Sequence, residues 1–264
     1  MKNISKLLGA ASLLLASGGS SALTVNTPDG NVSWDPNYAN LSAVDFIGQF
    51  DFTQWYSTTT LAAGADPILS NAISINTVFS GLNPLLGAVG SGNFLSGVGE
   101  IYRINEFNPI LCSTPSCELT YSFGGIELNE DSTFNIVNAW AKIYVNSLSP
   151  NFSNTSIDQS QVDGVNDGTL FLDLDITSLA FTSGTVLNGV VSATFDILGG
   201  AAAPYFIPKT MTYTADAQFE PEDSYSNGGN GSFYGNTENI PEPASLALIG
   251  IGLLGFGAMR RKVA

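Results

Sequence analysis

From Thr169 to Leu179 the chain alternates without a break: Leu170, Leu172, Leu174 and Ile176 point one way, and Phe171, Asp173, Asp175 and Thr177 the other. Successive side chains of a strand face opposite sides, so a period of two predicts a half-buried strand rather than a helix. Less regular versions of the pattern mark Val44 to Trp55, Val98 to Phe107, Glu118 to Leu128, Ser132 to Val145, Val186 to Leu198 and Thr210 to Phe219. In the first of these, Phe46, Phe50 and Phe52 share a face. Asn129-Glu130-Asp131, Asp163-Gly164, Asn166-Asp167-Gly168, Ser183-Gly184 and Gly199-Gly200 supply turn residues between the segments. Seven or eight such strands predict an all-β fold, an antiparallel β-sandwich or jelly-roll-like domain over residues 23–219. Residues 62–97 hold several glycines and no clean period, and read as loop with a short helix or strand. Residues 220–239 are poor in apolar side chains and rich in Asn, Gly, Ser and acid, which predicts a flexible spacer.

The two ends follow other rules. Lys2 and Lys6 precede an apolar run from Leu7 to Ala16 and the small residues Ser20-Ser21-Ala22, the pattern of a signal peptide over residues 1–22. At the other end Pro241-Glu242-Pro243 leads into an uncharged run from Ala244 to Met259, followed by Arg260-Arg261-Lys262. A helix over 244–259 would be about 24 Å long at roughly 1.5 Å per residue. As a transmembrane helix it is short against a hydrocarbon core of roughly 30 Å. The basic residues behind it predict a cytoplasmic end and an exterior location for the preceding chain.

Pro241, Glu242 and Pro243, then the apolar run, then Arg260, Arg261 and Lys262 make residues 240–264 resemble the PEP-CTERM sorting signal. That resemblance implies an exosortase-type enzyme and the inner membrane of a Gram-negative bacterium as transient partners. Removal of the tail and delivery to the cell surface or extracellular matrix would follow. It also implies an association with exopolysaccharide and biofilm.

Between these ends the basic residues are Arg103, Lys142 and Lys209, while Glu242 alone of the 23 acidic residues lies in the tail. The intervening region thus carries a net charge near −19. Such a surface repels nucleic acid and attracts divalent cations and basic polymers. The two cysteines, Cys112 and Cys117, flank Ser-Thr-Pro-Ser; after export to an oxidising compartment this spacing predicts a local disulfide.

The absence of histidine removes Ser-His-Asp and Cys-His catalysis and His-bearing zinc sites. No phosphate-binding loop is present, and no recognisable catalytic motif, so the expectation is a protein that is not an enzyme and has no cofactor. Three weaker patterns remain. Asp173 and Asp175, two apart on a strand, lie about 7 Å from each other on one face, near glycosidase carboxylate spacing. Asp163 and Asp167, with Asp158, Asn166, Glu130 and Asp131 nearby in sequence, offer hard oxygen ligands for a candidate calcium site. Trp140 and Tyr144 alternate outward with Asn138 and Lys142, a candidate glycan-binding platform. The leading expectation is a structural or adhesive component of the cell surface or extracellular matrix. A lectin-like carbohydrate-binding module and, behind it, a glycan-active hydrolase are the alternatives.

Overall fold

The computed structural model describes residues 22–38, 44–105, 111–112, 117–147, 152, 157–220 and 223–238. Both the signal peptide at 1–22, apart from Ala22, and the apolar run at 244–259 lie outside these. Among the described residues no helix is long and apolar enough to cross a membrane.

Twelve strands are described: β1 (Leu23–Thr27), β2 (Gly30–Trp34), β3 (Phe46–Ser57), β4 (Gly90–Ile104), β5 (Leu111–Cys112), β6 (Glu118–Asn129), β7 (Phe134–Asn135), β8 (Trp140–Asn146), β9 (Thr169–Gly184), β10 (Asn188–Gly199), β11 (Phe206–Phe219) and β12 (Ser226–Thr237). Two short helices, α1 (Ile75–Gly81) and α2 (Gln159–Asp163), lie in the connections. The fold is all-β, as expected, but it is not an open sandwich. Its main sheet runs β4-β3-β12-β11-β10-β9-β8-β6, and β4 pairs again with β6, which closes eight antiparallel strands into a barrel. Closure removes the sheet edges that a sandwich leaves open.

The strand that completes the ring is the one expected to be a spacer. Residues 226–237 pair with β11 on one side and β3 on the other. Glycines made this segment look incapable of a core, yet they serve the barrel interior. Gly229 stands opposite Phe52 and Gly231 opposite Phe50 on β3. Gly97 and Gly99 of β4 stand likewise opposite Phe123 and Tyr121 of β6. In each pair the missing side chain leaves space that the neighbouring ring fills. The rings then meet one another: Phe50 stacks on Tyr213 at 5.1 Å and lies 4.7 Å from Phe233 and 5.3 Å from Tyr121. Aromatic pairs of this kind contribute about 0.5–1.5 kcal/mol each beyond their burial.

One barrel end is plugged. The β1–β2 hairpin buries Leu23, Val25, Val32 and Trp34 against the main core, with β5 added to its edge. Trp34 touches Phe46, Phe171 and Phe206, which begin or nearly begin β3, β9 and β11. Its indole N–H donates to Thr237 Oγ1 at 3.0 Å, and that hydroxyl donates to Asp45 Oδ1 at 2.7 Å. Phe171, on the polar side of the alternation in β9, is fully buried because the β8–β9 ladder slips between the Ile143–Leu172 and Tyr144–Leu170 pairs, which leaves Phe171 outside the ladder and packed against Trp34. The Asp29 carboxylate in the hairpin turn accepts from Ser147 and Thr169, fixing the plug to β8 and β9; those bonds hold its pKa below the usual carboxylate value.

The opposite end is formed by the β9–β10 turn and by the long β3–β4 connection, where Ile75 and Val78 of α1 pack into the same core. A second apolar cluster of Trp55, Leu69, Val98, Val162 and Val165 covers the outer wall of β3 and β4.

Candidate functional site

Each residue singled out from the sequence can now be placed. Trp140 and Tyr144 do lie on the outer face of β8, but they offer no platform for a sugar. They are only 5% and 7% exposed, because the loop after β3 crosses over them. The Trp140 indole N–H donates to Leu61 O at 3.1 Å, and Gly64 approaches the Lys142 stem and the Tyr144 hydroxyl. Burial and the nearby carboxylates of Asp173 and Asp66 push the Tyr144 pKa up to about 12. The alternation assigned both rings to the outer face correctly; what it could not show was the loop covering that face.

Asp173 faces Lys142 across the β8–β9 ladder and accepts from its ammonium at 2.6 Å. Asp175 is exposed on the barrel exterior. The two carboxylates therefore sit on the outer wall of the barrel, one of them ion-paired and the other exposed.

The oxygen-rich turns do local structural work. Asp158 caps α2, accepting from Gln161 N while the Gln161 side chain accepts from Asp158 N. Hydrogen bonds from Ser160 and Gln161 hold the Asp158 pKa down, as those from Thr133 do for Asp131. Asp163 accepts from Gln159 Nε2 at 2.7 Å, and Asn166 accepts from Ser122 at 2.7 Å. Asp163 and Asp167 are exposed, and no group of three or more acidic or cysteine side chains that could hold a metal ion occurs among the described residues.

A different feature, missed in the sequence, lies inside the barrel at the end opposite the plug. A cavity of about 60 Å³ is lined by residues of all eight barrel strands, among them Phe52, Phe123, Ile176, Ala193, Phe195 and Phe233. Tyr121 lines it too, and the buried Tyr121 hydroxyl has no hydrogen-bond partner. Burial raises the Tyr121 pKa well above its ordinary value, so the group is a neutral hydroxyl at physiological pH. Asp216, near the rim, is the one charged side chain in the lining. A second cavity, about 110 Å³, lies between the outer wall and the loop after β3, bounded by Trp55, Ser57, Leu61 and Ile68. No single period could have revealed the first cavity, because all eight barrel strands contribute to it.

The molecule is thus a closed, plugged antiparallel barrel whose last strand, β12, ends at Thr237 beside Trp34. Residues 239–262, which follow almost at once, match the PEP-CTERM protein-sorting motif, so the chain is a PEP-CTERM sorting domain-containing protein. The motif marks it for an exosortase-type system, with an enzyme of that type as its processing partner, and for export to the cell surface or extracellular space of a bacterium. Comparison with curated proteins and with solved structures yields no match.

Proposed function

We propose that this is a non-enzymatic structural or adhesive protein of the cell surface or extracellular matrix in a Gram-negative bacterium, working in contact with exopolysaccharide. The observation that carries this reading is the direct succession of a closed barrel and a sorting motif. The barrel exterior is acidic, with 23 acidic against 8 basic residues in the whole chain, and suits bridging by cations to an anionic polymer. The signal peptide at 1–22 and the anchor at 244–259 belong to the same proposal. So does a Cys112–Cys117 disulfide: no cysteine among the described residues is free. Cys112 ends β5 on the plug sheet and Cys117 directly precedes β6, so the bond would join plug to barrel.

Topology adds an orientation. Thr237 lies at the plugged end, so a tail held in the membrane leaves the plug facing the lipid and the cavity facing outward. A strain lacking this chain tests the role: the account expects weaker cohesion of the extracellular matrix, restored by the intact chain and not by one truncated after Thr237. Unchanged matrix cohesion and exopolysaccharide retention would remove the structural reading.

A further inference from the structure

We propose that the plugged end of the barrel, at an exposed patch of Leu198, Ile207, Pro208 and Lys209, docks onto the exosortase-type enzyme that acts on the tail. The tail leaves the barrel under restraint. Thr237 donates to Asp45 Oδ1 through its backbone N–H at 2.6 Å and its hydroxyl at 2.7 Å, and Glu238 N–H donates to Tyr205 O at 2.8 Å. Only Asn239 and Ile240 then separate Glu238 from Pro241. Three steps of extended chain reach about 11 Å at roughly 3.6 Å per residue. An enzyme that engages Pro241-Glu242-Pro243 must therefore come up against the barrel surface from which Glu238 emerges.

That surface differs from the rest of the exterior. Between the Phe206–Thr237 and Met211–Gly235 pairs, the residues Ile207 to Thr210 of β11 face Asn236 alone on β12, so they bulge beside the tail. Ile207 is 48% exposed, and Pro208 and Lys209 are exposed with it. On β10, Leu198 lies two residues past the Asp196–Thr210 pair, level with Pro208, and is 65% exposed. Large apolar side chains grouped in this way, with a charge at their edge, are the pattern of a docking surface. Lys209 is one of three basic residues between the two ends of the chain. It makes no ion pair among the described residues, whereas Lys142 is held by Asp173. The patch thus fits an apolar hollow flanked by a carboxylate on the enzyme. A lipid surface fits less well, because Asp29, Asp35, Asp45 and Glu238 share this end of the barrel and repel anionic headgroups.

The test is pulse-labelling of the full chain in the producing strain, following the loss of mass as the tail is removed. Leu198→Glu and Ile207→Glu together should slow that loss by about fivefold or more, and Lys209→Glu should slow it too. Val137→Glu, at an 84% exposed position before β8, is the control and should leave the rate unchanged. A flexible Gly-Ser spacer of about ten residues between Glu238 and Asn239 adds roughly 18 Å of reach. It should bring the variants to within about twofold of the spacer-bearing parent. Slowing that the spacer does not relieve, or equal slowing by Val137→Glu, marks a defect in export or folding and would overturn the proposal. Processed protein from the cell surface should stay unbound to enzyme-free vesicles of phosphatidylethanolamine and phosphatidylglycerol. Flotation that depends on Leu198 and Ile207 would assign the patch to lipid instead. The proposal rests on the sorting route given above: a wild-type chain that keeps its tail would sink that reading, whereas patch variants that lose it at full speed sink this one alone.

Discussion

Gly231 stands directly opposite Phe50 across the β12–β3 ladder, and a Cβ at position 231 would come within 2.6 Å of the Phe50 ring and 2.7 Å of Ala215 Cβ. The Thr214 carbonyl closes the third side, so no flexible side chain can yield. Gly231→Ala should therefore destabilise the protein by about 1–3 kcal/mol, the usual cost of overpacking a core. That is a fall of about 2–4 °C in Tm per kcal/mol for a chain of this size. Gly81→Ala, at a helical position with nothing within 4 Å, is the control and should leave Tm unchanged or slightly raised.

Glu100 sits opposite Asp51 on the outer wall; burial first, then the charges of Glu118 and Asp51, push its pKa to about 7 from an ordinary 4.5. The folded state then holds a proton that the unfolded state has lost between those two values. Stability is greatest below the lower value and declines as pH rises toward the higher one. Glu100→Gln should flatten that decline and raise Tm at pH 8 relative to the wild type. Thermal melts of both proteins from pH 4 to pH 8 check it; parallel curves would show that Glu100 titrates normally.

Trp140→Phe removes the donor to Leu61 and should cost about 0.5–1.5 kcal/mol, the net worth of a typical hydrogen bond. Limited proteolysis should become faster in the loop after β3, which loses that tie. The substitution should leave a glycan array as it was, since the ring is covered. Saturable glycan binding that vanishes with Trp140 would instead mean that the loop opens over it.

The contrast between these sites shows how far the amino-acid order reaches. Alternation located β3, β6, β9, β10 and β11 because each carries large apolar residues on one face. It failed at β12 and in the first half of β4, where glycines such as Gly229, Gly231 and Gly97 interrupt the inward row and leave Phe233 and Leu95 isolated in it. The glycines' contribution to the core is the space given to Phe50, Phe52, Tyr121 and Phe123 on neighbouring strands. That is a property of a pair across a ladder, invisible along one strand. The same omission turned a barrel into a sandwich, since a ring lacking one strand has edges. For the site the pattern is similar. The outward side of Trp140 was legible, the loop above it was not. The cavity depends on alanines and a tyrosine from strands up to 100 residues apart, and only the closed barrel brings them together. The sorting motif was legible in full, because its proline, apolar and basic parts are contiguous.

The most direct check on the account is the intact mass of the protein recovered from the cell surface. A barrel handed over by an exosortase-type enzyme should lack Lys262 and the apolar run before it, with its C-terminus close to Pro241–Pro243 and the strand up to Thr237 complete. A surface-exposed population that still extends through Ala264 would contradict it.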